Sequence, residues 1–166
     1  MTVELRWASP GDAEDLALVL HEMALHYRQE RLPVNETVAA VRGWLRHESP
    51  AYPHFALGWD GGEVACLASV AIAHPGVDLR RLLFLKDLFV REKFRSRGFG
   101  TKMIRYLAGE CIRRGIGRID LTTEDWNEDA LRFYDRLGAV RHDRKVFLRF
   151  GAEDLVRLAR PAVDPM

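Results

Sequence analysis

The sequence predicts an α/β fold: a mixed sheet of six to seven strands with helices on both faces. Three observations predict it. The periodicity runs strand, two helices, three strands, helix, strand, helix and then one or two final strands. Two β-rich runs flank Asp60-Gly61-Gly62, a strong hairpin turn. The run "RLLFLKDLFV" is apolar on both alternating sets, as expected of a central strand covered on both sides. At 166 residues the chain is most simply one domain, residues 1–166, able to bury its own core.

Each element follows in order. "TVELRWA" alternates and reads as a first strand. Ser9 offers a helix cap with Pro10 at the first position and Asp12 three residues on. Leu16, Leu20, Met23 and Tyr27 carry that helix to about Arg28. Asn35 is expected to cap a second helix whose apolar side holds Val38, Val41, Trp44 and Leu45. The hairpin "YPHFALGWDGGEVACLASVAIA" and the strand before Arg91 follow. A helix from Phe99 places Met103, Leu107 and Cys111 on one line, with Ile104, Ala108 and Ile112 beside it, and closes in "RRGIG". "RIDLTT" is a strand, Asn127 opens a short helix closed by Gly138, and "AVRHDRKVFLRF" supplies the last strands. "AEDLVRLA" is a short helix before a Pro-bearing tail.

Composition excludes several functions. With 48% apolar and 30% charged residues the chain is an ordinary globule, and a net charge of +1 argues against nucleic-acid coating or a polybasic membrane binder. "VACLASVAIA" is far short of the ~20 residues that span a bilayer. "MTVELRWASP" has no signal-peptide apolar stretch, so a cytoplasmic address is expected. Cys66 and Cys111 read as reduced core residues, and no C-x-x-C or Cys/His spacing points to a metal.

The informative stretch is "LFVREKFRSRGFGTKMI", a strand, a basic cluster and Gly-x-Gly before a helix. A P-loop needs Gly-x-x-x-x-Gly-Lys-[Ser/Thr], which Gly98-Phe99-Gly100-Thr101-Lys102 does not supply. A dinucleotide fingerprint needs a third glycine where Met103 stands, after a first strand. What fits is Arg95-x-x-Gly98-x-Gly100 as a phosphate grip. First-turn N–H groups lack intrahelical partners, the helix dipole adds to them, and glycines let the backbone approach a pyrophosphate. Arg95 and Arg97 can add charge-assisted hydrogen bonds. A plain strand-to-helix loop with solvated cations uses the same residue types, so the loop alone leaves both open.

A second motif lies downstream, Asn127-Glu128-Asp129-Ala130…Phe133-Tyr134…Gly138. Together with Arg95-Ser96-Arg97-Gly98-Phe99-Gly100 it resembles the GNAT superfamily of acyl-CoA-dependent N-acyltransferases, most strongly from Phe84 to Ala139. The resemblance implies a sheet splayed between its fourth and fifth strands and a pyrophosphate of acetyl-CoA on Arg95, Ser96, Arg97, Gly98, Phe99, Gly100 and Thr101. It further implies a pantetheine arm along Leu88, Phe89 and Val90, with Asn127 helping to hold it. A backbone N–H near Phe89 or Val90 would polarise the thioester carbonyl. Homodimers are common among such relatives.

Acyl transfer to an amine must remove a proton from an ammonium with a pKa near ~10.4 and deliver one to a thiolate near ~8.5. The resemblance assigns Tyr134 as the acid. Within the superfamily, "LKDLFV…WNEDALRFY" is similar to diamine (spermidine/spermine) acetyltransferases. Those read Leu-Glu-Asp where this chain reads Leu85-Lys86-Asp87, and their Glu is the proposed base. A lysine there would repel a polycation. Lys86 and Asp87 alternate on a buried strand, so each is expected either to be paired, as Lys86 with Glu124 or Asp120, or to face an acceptor. In the second case Lys86 binds a substrate carboxylate, Glu124 is the preferred base and Asp125 the other candidate. His26, with Glu22 and Glu30, would border the acceptor. The reading is an acetyl-CoA-dependent N-acetyltransferase for a small primary amine. A non-catalytic acyl-CoA sensor and a protein N-acetyltransferase are the alternatives.

Overall fold

Gly61 and Gly62 both hold positive φ, +61° and +84°, so Asp60 and Glu63 pair across a two-residue turn as the twist of a hairpin requires. Around this hairpin the first of two units is built. The computed structural model describes residues 3–47, 53–74 and 79–159, and the chain divides into Met1–Trp126 and Asn127–Met166. Thr2, Tyr52 and the Pro-bearing tail beyond residue 159 lie outside the described residues.

In the first unit, five strands stand in the order β1 (Val3–Trp7), β2 (His54–Asp60), β3 (Glu63–Ala73), β4 (Leu82–Val90) and β5 (Arg118–Leu121). Neighbours are antiparallel up to β4, and β4 pairs β5 in parallel. That parallel step requires a crossover, supplied by helix α3 (Phe99–Arg113). α1 (Ala13–His26) and α2 (Val34–Leu45) precede β2. One face of the sheet packs Ala65, Leu83 and Leu85 on Phe99, Met103, Leu107 and Cys111 of α3. The other packs Leu57, Leu67 and Phe89 on Leu16 and Val19 of α1 and Val41 of α2. Each such Leu, Val, Phe or Met side chain contributes roughly 1.5–3 kcal/mol by leaving water. Helices thus cover both faces, as predicted, although Ile112 lies in solvent, 83% exposed. No helix among the described residues is long and apolar enough to cross a membrane.

Helix ends follow local chemistry. Before α1, residues Pro10–Asp12 form a 3₁₀ turn, and Asp12 accepts the Ser9 N–H and hydroxyl, both at 2.7 Å. The Arg6 guanidinium reaches both Asp12 oxygens at 2.7 Å and holds its carboxyl down at about 2. α2 starts at Val34 with Pro33 as its cap, so Asn35 sits inside the first turn. Gly115 closes α3 at φ +65°, and the Ile116 N–H reaches the Cys111 carbonyl at 2.8 Å.

β4 carries a bulge. Leu85 pairs with Val70 and Asp87 with Ser69, leaving Lys86 as the extra residue. A bulge resets the alternation. Leu83 and Leu85 face α3 before it, whereas Leu88 and Val90 pack on that side after it and Phe89 turns to α1. Parallel pairing with β5 ends at Leu85 and Leu121, so Asp87–Val90 pair with β3 alone in the sheet.

The second unit holds α4 (Glu128–Arg136) and α5 (Ala152–Leu158). The last strands expected from "AVRHDRKVFLRF" do not form, and among the described residues the sheet has five strands rather than six or seven. Alternation is a local signal, but a strand exists only through a partner ladder. Here a turn between His142 and Lys145 breaks the run, and Val146, Phe147, Leu148 and Phe150 are all exposed, so neither alternating set is buried.

Candidate functional site

The strand-to-helix turn after β4 is shaped by two left-handed residues, Ser96 (φ +59°) and Gly98 (φ +79°). A serine in that conformation costs roughly 1–2 kcal/mol, while glycine adopts it freely. Gly98 is the residue before α3 and has no side chain to cap it. The first turn of α3 also holds no acidic residue. Among the described residues every other α-helix has one there: Glu14 and Asp15, Glu36, Glu128 and Asp129, Glu153 and Asp154. The N–H groups of Phe99, Gly100 and Thr101 therefore have neither an intrahelical partner nor a built-in counter-charge. That arrangement suits an anion from outside the chain.

Arg95 and Arg97 flank this turn differently. Arg95 is exposed, donates from Nε to the Val90 carbonyl at 3.1 Å and lies 5.8 Å from the Phe89 ring. Arg97 pairs with Asp60 at the hairpin turn, tying the two loops together. Lys102 lies over the Phe99 ring at 5.4 Å.

The adjoining end of β4 presents backbone groups. The Arg91 N–H donates to the Ala65 carbonyl at 3.0 Å. By the alternation of an antiparallel ladder, Phe89 bonds toward β3 as well, whereas Leu88 and Val90 direct their peptide groups to the edge that β5 no longer covers. Of Phe89 and Val90, only Val90 directs its N–H to that open edge.

On the α1 side of β4 lies a cavity of about 680 Å³, lined by Glu22, Leu25, His26, Phe89, Arg91, Glu92, Lys93 and Arg95. His26 meets Phe89 with ring centroids 5.8 Å apart. Phe89 and Arg95 are thus shared between the cavity and the approach to the turn. Lys86 and Glu124 lie just past the last β4/β5 pair, one residue beyond Leu85 and three beyond Leu121. Lys86 is 69% exposed and pairs with neighbouring Asp87 at 3.3 Å, while Asp120 pairs with Arg118 at 3.1 Å. Such a solvent-facing pair holds little free energy and can exchange partners. Glu124 is exposed.

In the second unit, the Asn127 Oδ1 accepts the Ala130 N–H at 3.2 Å and so caps α4. Tyr134 is half-buried on that helix, edge-on to Phe133 with centroids 5.0 Å apart. Gly138 (φ +84°) ends it, and the Ala139 N–H reaches the Tyr134 carbonyl at 3.1 Å.

Neither thiol is suited to act as a nucleophile. Burial pushes Cys66 up to about 12 and raises Cys111 as well. Glu22 and His26, expected at an acceptor border, line this cavity, whereas no local motif in the sequence pointed to Arg91, Leu25 or Lys93 beside them. Arg91 and Glu22 are 69 residues apart, and the only local trace was Arg91 standing directly after an apolar strand.

The chain is similar to known proteins along most of its length. The Acetyltransferase (GNAT) family pattern matches residues 18–139. An L-ornithine N5-acetyltransferase of Arabidopsis thaliana is 32% identical over 66 residues, 40% of this chain and only 29% of that enzyme's length. A thialysine N-epsilon-acetyltransferase of Bos taurus is 23% identical over 156 residues, covering 82% of this chain and 84% of that one. Among solved structures, an integron cassette protein from the mobile metagenome of V. cholerae superposes with a TM-score of 0.81 over 96% of this chain and 99% of its own, at 25% identity. With its match extending from within α1 to just past α4, the chain belongs to the GNAT acetyltransferase family.

Proposed function

We propose that this protein is a cytoplasmic, single-domain N-acetyltransferase that moves an acetyl group from acetyl-CoA to the primary amine of a small molecule, by direct attack while both are bound. The observation that carries the reading is the start of α3, where a first turn without acid or capping side chain follows Gly98 and Arg95. Acetyl-CoA, when bound, supplies an activated acetyl thioester. The turn from Arg95 to Thr101 holds its pyrophosphate, Arg95 by charge and the helix start by N–H donation. The edge at Leu88 and Val90 extends hydrogen bonds to the pantetheine amides where β4 and β5 part. The Val90 N–H stabilises charge on the carbonyl oxygen as the carbon–nitrogen bond forms. Tyr134 gives its phenolic proton to the sulfur as the carbon–sulfur bond breaks, and Glu124 takes the proton released by the amine. Asn127 acts at the start of the helix that bears Tyr134. The family's named relatives act on L-ornithine and thialysine. Those names support an acceptor with a terminal amine, seated against His26 and Asp87, with Lys86 available to a carboxylate.

Lys86, an exposed cation at the β4 bulge, favours a second reading, a non-catalytic acyl-CoA sensor. One experiment separates the two: CoA release with L-ornithine, other amino acids, monoamines and polyamines, for wild type and Tyr134→Phe. Turnover that falls sharply in the variant supports the enzyme. Acetyl-CoA binding without turnover of any amine supports the sensor.

A further inference from the structure

The deepest charged side chain along the cavity is Arg91, 7% exposed. Its guanidinium forks onto both oxygens of Glu22, Nε to Oε2 at 2.8 Å and Nη2 to Oε1 at 2.7 Å. Nη1 reaches the Val64 carbonyl at 2.7 Å and Glu63 Oε1 at 3.0 Å. Glu63 is also bound by Lys93, which with Arg91 lowers its carboxyl pKa. One buried cation therefore joins α1, the start of β3 and the end of β4. Of the carboxylates lining or backing the cavity, Glu22 and Glu63 are both held by cations of the chain itself, Arg91 and Lys93. Neither of these two is left open to a cationic ligand.

We infer that Arg91 is a built-in counter-ion that sets acceptor selectivity: it occupies the place a substrate's second ammonium would take on Glu22, and so turns polycations away from the cavity. This rests on the cavity being the acceptor site of the proposed acetyltransferase. A selective site needs a repulsive element as well as an attractive one. A planar guanidinium bonded to two oxygens of one carboxylate and a backbone carbonyl resists displacement by a mobile ammonium. Removing it leaves Glu22 facing the cavity with its charge exposed.

Calorimetric titration tests this without requiring turnover. Spermidine and n-butylamine are titrated into wild type, Arg91→Met and the double variant Arg91→Met/Glu22→Gln, with thermal melts as the folding control. Spermidine should bind Arg91→Met at least tenfold tighter than wild type, n-butylamine should change less than threefold, and the double variant should lose the gain. If Arg91→Met does not fold, Arg91→Gln, which retains donors without charge, carries the same expectation. An unchanged spermidine affinity, a gain that survives in the double variant, or a change in acetyl-CoA affinity in place of amine affinity overturns the inference. Failure of wild type to bind acetyl-CoA would instead remove the acetyltransferase reading, and the two failures are read from separate titrations.

Discussion

Helices α3 and α4 follow the neighbouring strands β4 and β5, and they treat their first turns in opposite ways. α4 is sealed by its own residues: Asn127 accepts the Ala130 N–H, and Glu128 and Asp129 face the positive end of the dipole. α3 has Gly98 in the left-handed region, no acid in its first turn, and Arg95 and Arg97 before it. A sealed start is a folding device. An open start costs stability that the chain could have gained with a single aspartate, about 0.3–1 kcal/mol by the dipole alone. The difference teaches that the α4 start is satisfied by the chain itself, whereas the α3 start leaves its N–H groups open, which is what the proposed function uses.

The comparison can be broken in graded steps. The largest effect is expected from Tyr134→Phe, which leaves both helix starts intact but removes the phenol. Here kcat should fall roughly 100- to 10,000-fold while the acetyl-CoA dissociation constant moves less than threefold. Steady-state kinetics beside calorimetry check this, and an unchanged kcat would remove Tyr134 from the chemistry.

Next comes Thr101→Glu, which gives α3 the first-turn acid its neighbours have. The two consequences should have opposite sign. The fold should gain about 0.3–1 kcal/mol by denaturant titration, while acetyl-CoA binding weakens on the order of tenfold to a hundredfold. Loss of stability together with unchanged binding would mean the turn is an ordinary loop.

The start of α1 offers a third case, sealed by Asp12 under Arg6. Because the folded carboxyl is held at about 2, below its ordinary 3.8, its contribution is complete above pH ~4 and is lost as pH falls toward 2. It amounts to on the order of 2 kcal/mol. Thermal melts at pH 5 and pH 2 should show a larger drop for wild type than for Asp12→Asn. Equal drops would contradict the assignment.

The smallest step is Asn127→Ala, expected to cost about 1 kcal/mol of stability through the lost cap. A simultaneous loss of acetyl-CoA affinity would show that the carboxamide also serves the ligand.

What the sequence made legible was what local chemistry determines. The Asp60-Gly61-Gly62 turn, the glycine stops at Gly115 and Gly138, the Asn127 cap and the apolar line Met103, Leu107, Cys111 all depend on residues within a few positions of one another. What stayed hidden depends on distant partners. The bulge at Lys86 is a matter of register against Val70 and Ser69, and the local sequence shows only simple alternation at Lys86 and Asp87. Arg97, expected with Arg95 at the phosphate turn, also pairs with Asp60, a partner 37 residues away that no local pattern shows. The cavity charges depend on the Glu22–Arg91 contact, which no local pattern encodes. The expected last strands failed for the same reason, since an alternating run makes no strand without a ladder to join.

The central claim is that the open start of α3 receives the diphosphate of acetyl-CoA. Titrating acetyl-CoA into ¹⁵N-labelled protein, with amide shifts followed residue by residue, tests it most directly. Saturable shifts centred on Gly98, Phe99, Gly100 and Thr101, with smaller ones at Val90, are the predicted result. Saturation without movement of those amides, or no interaction at millimolar acetyl-CoA, would contradict it.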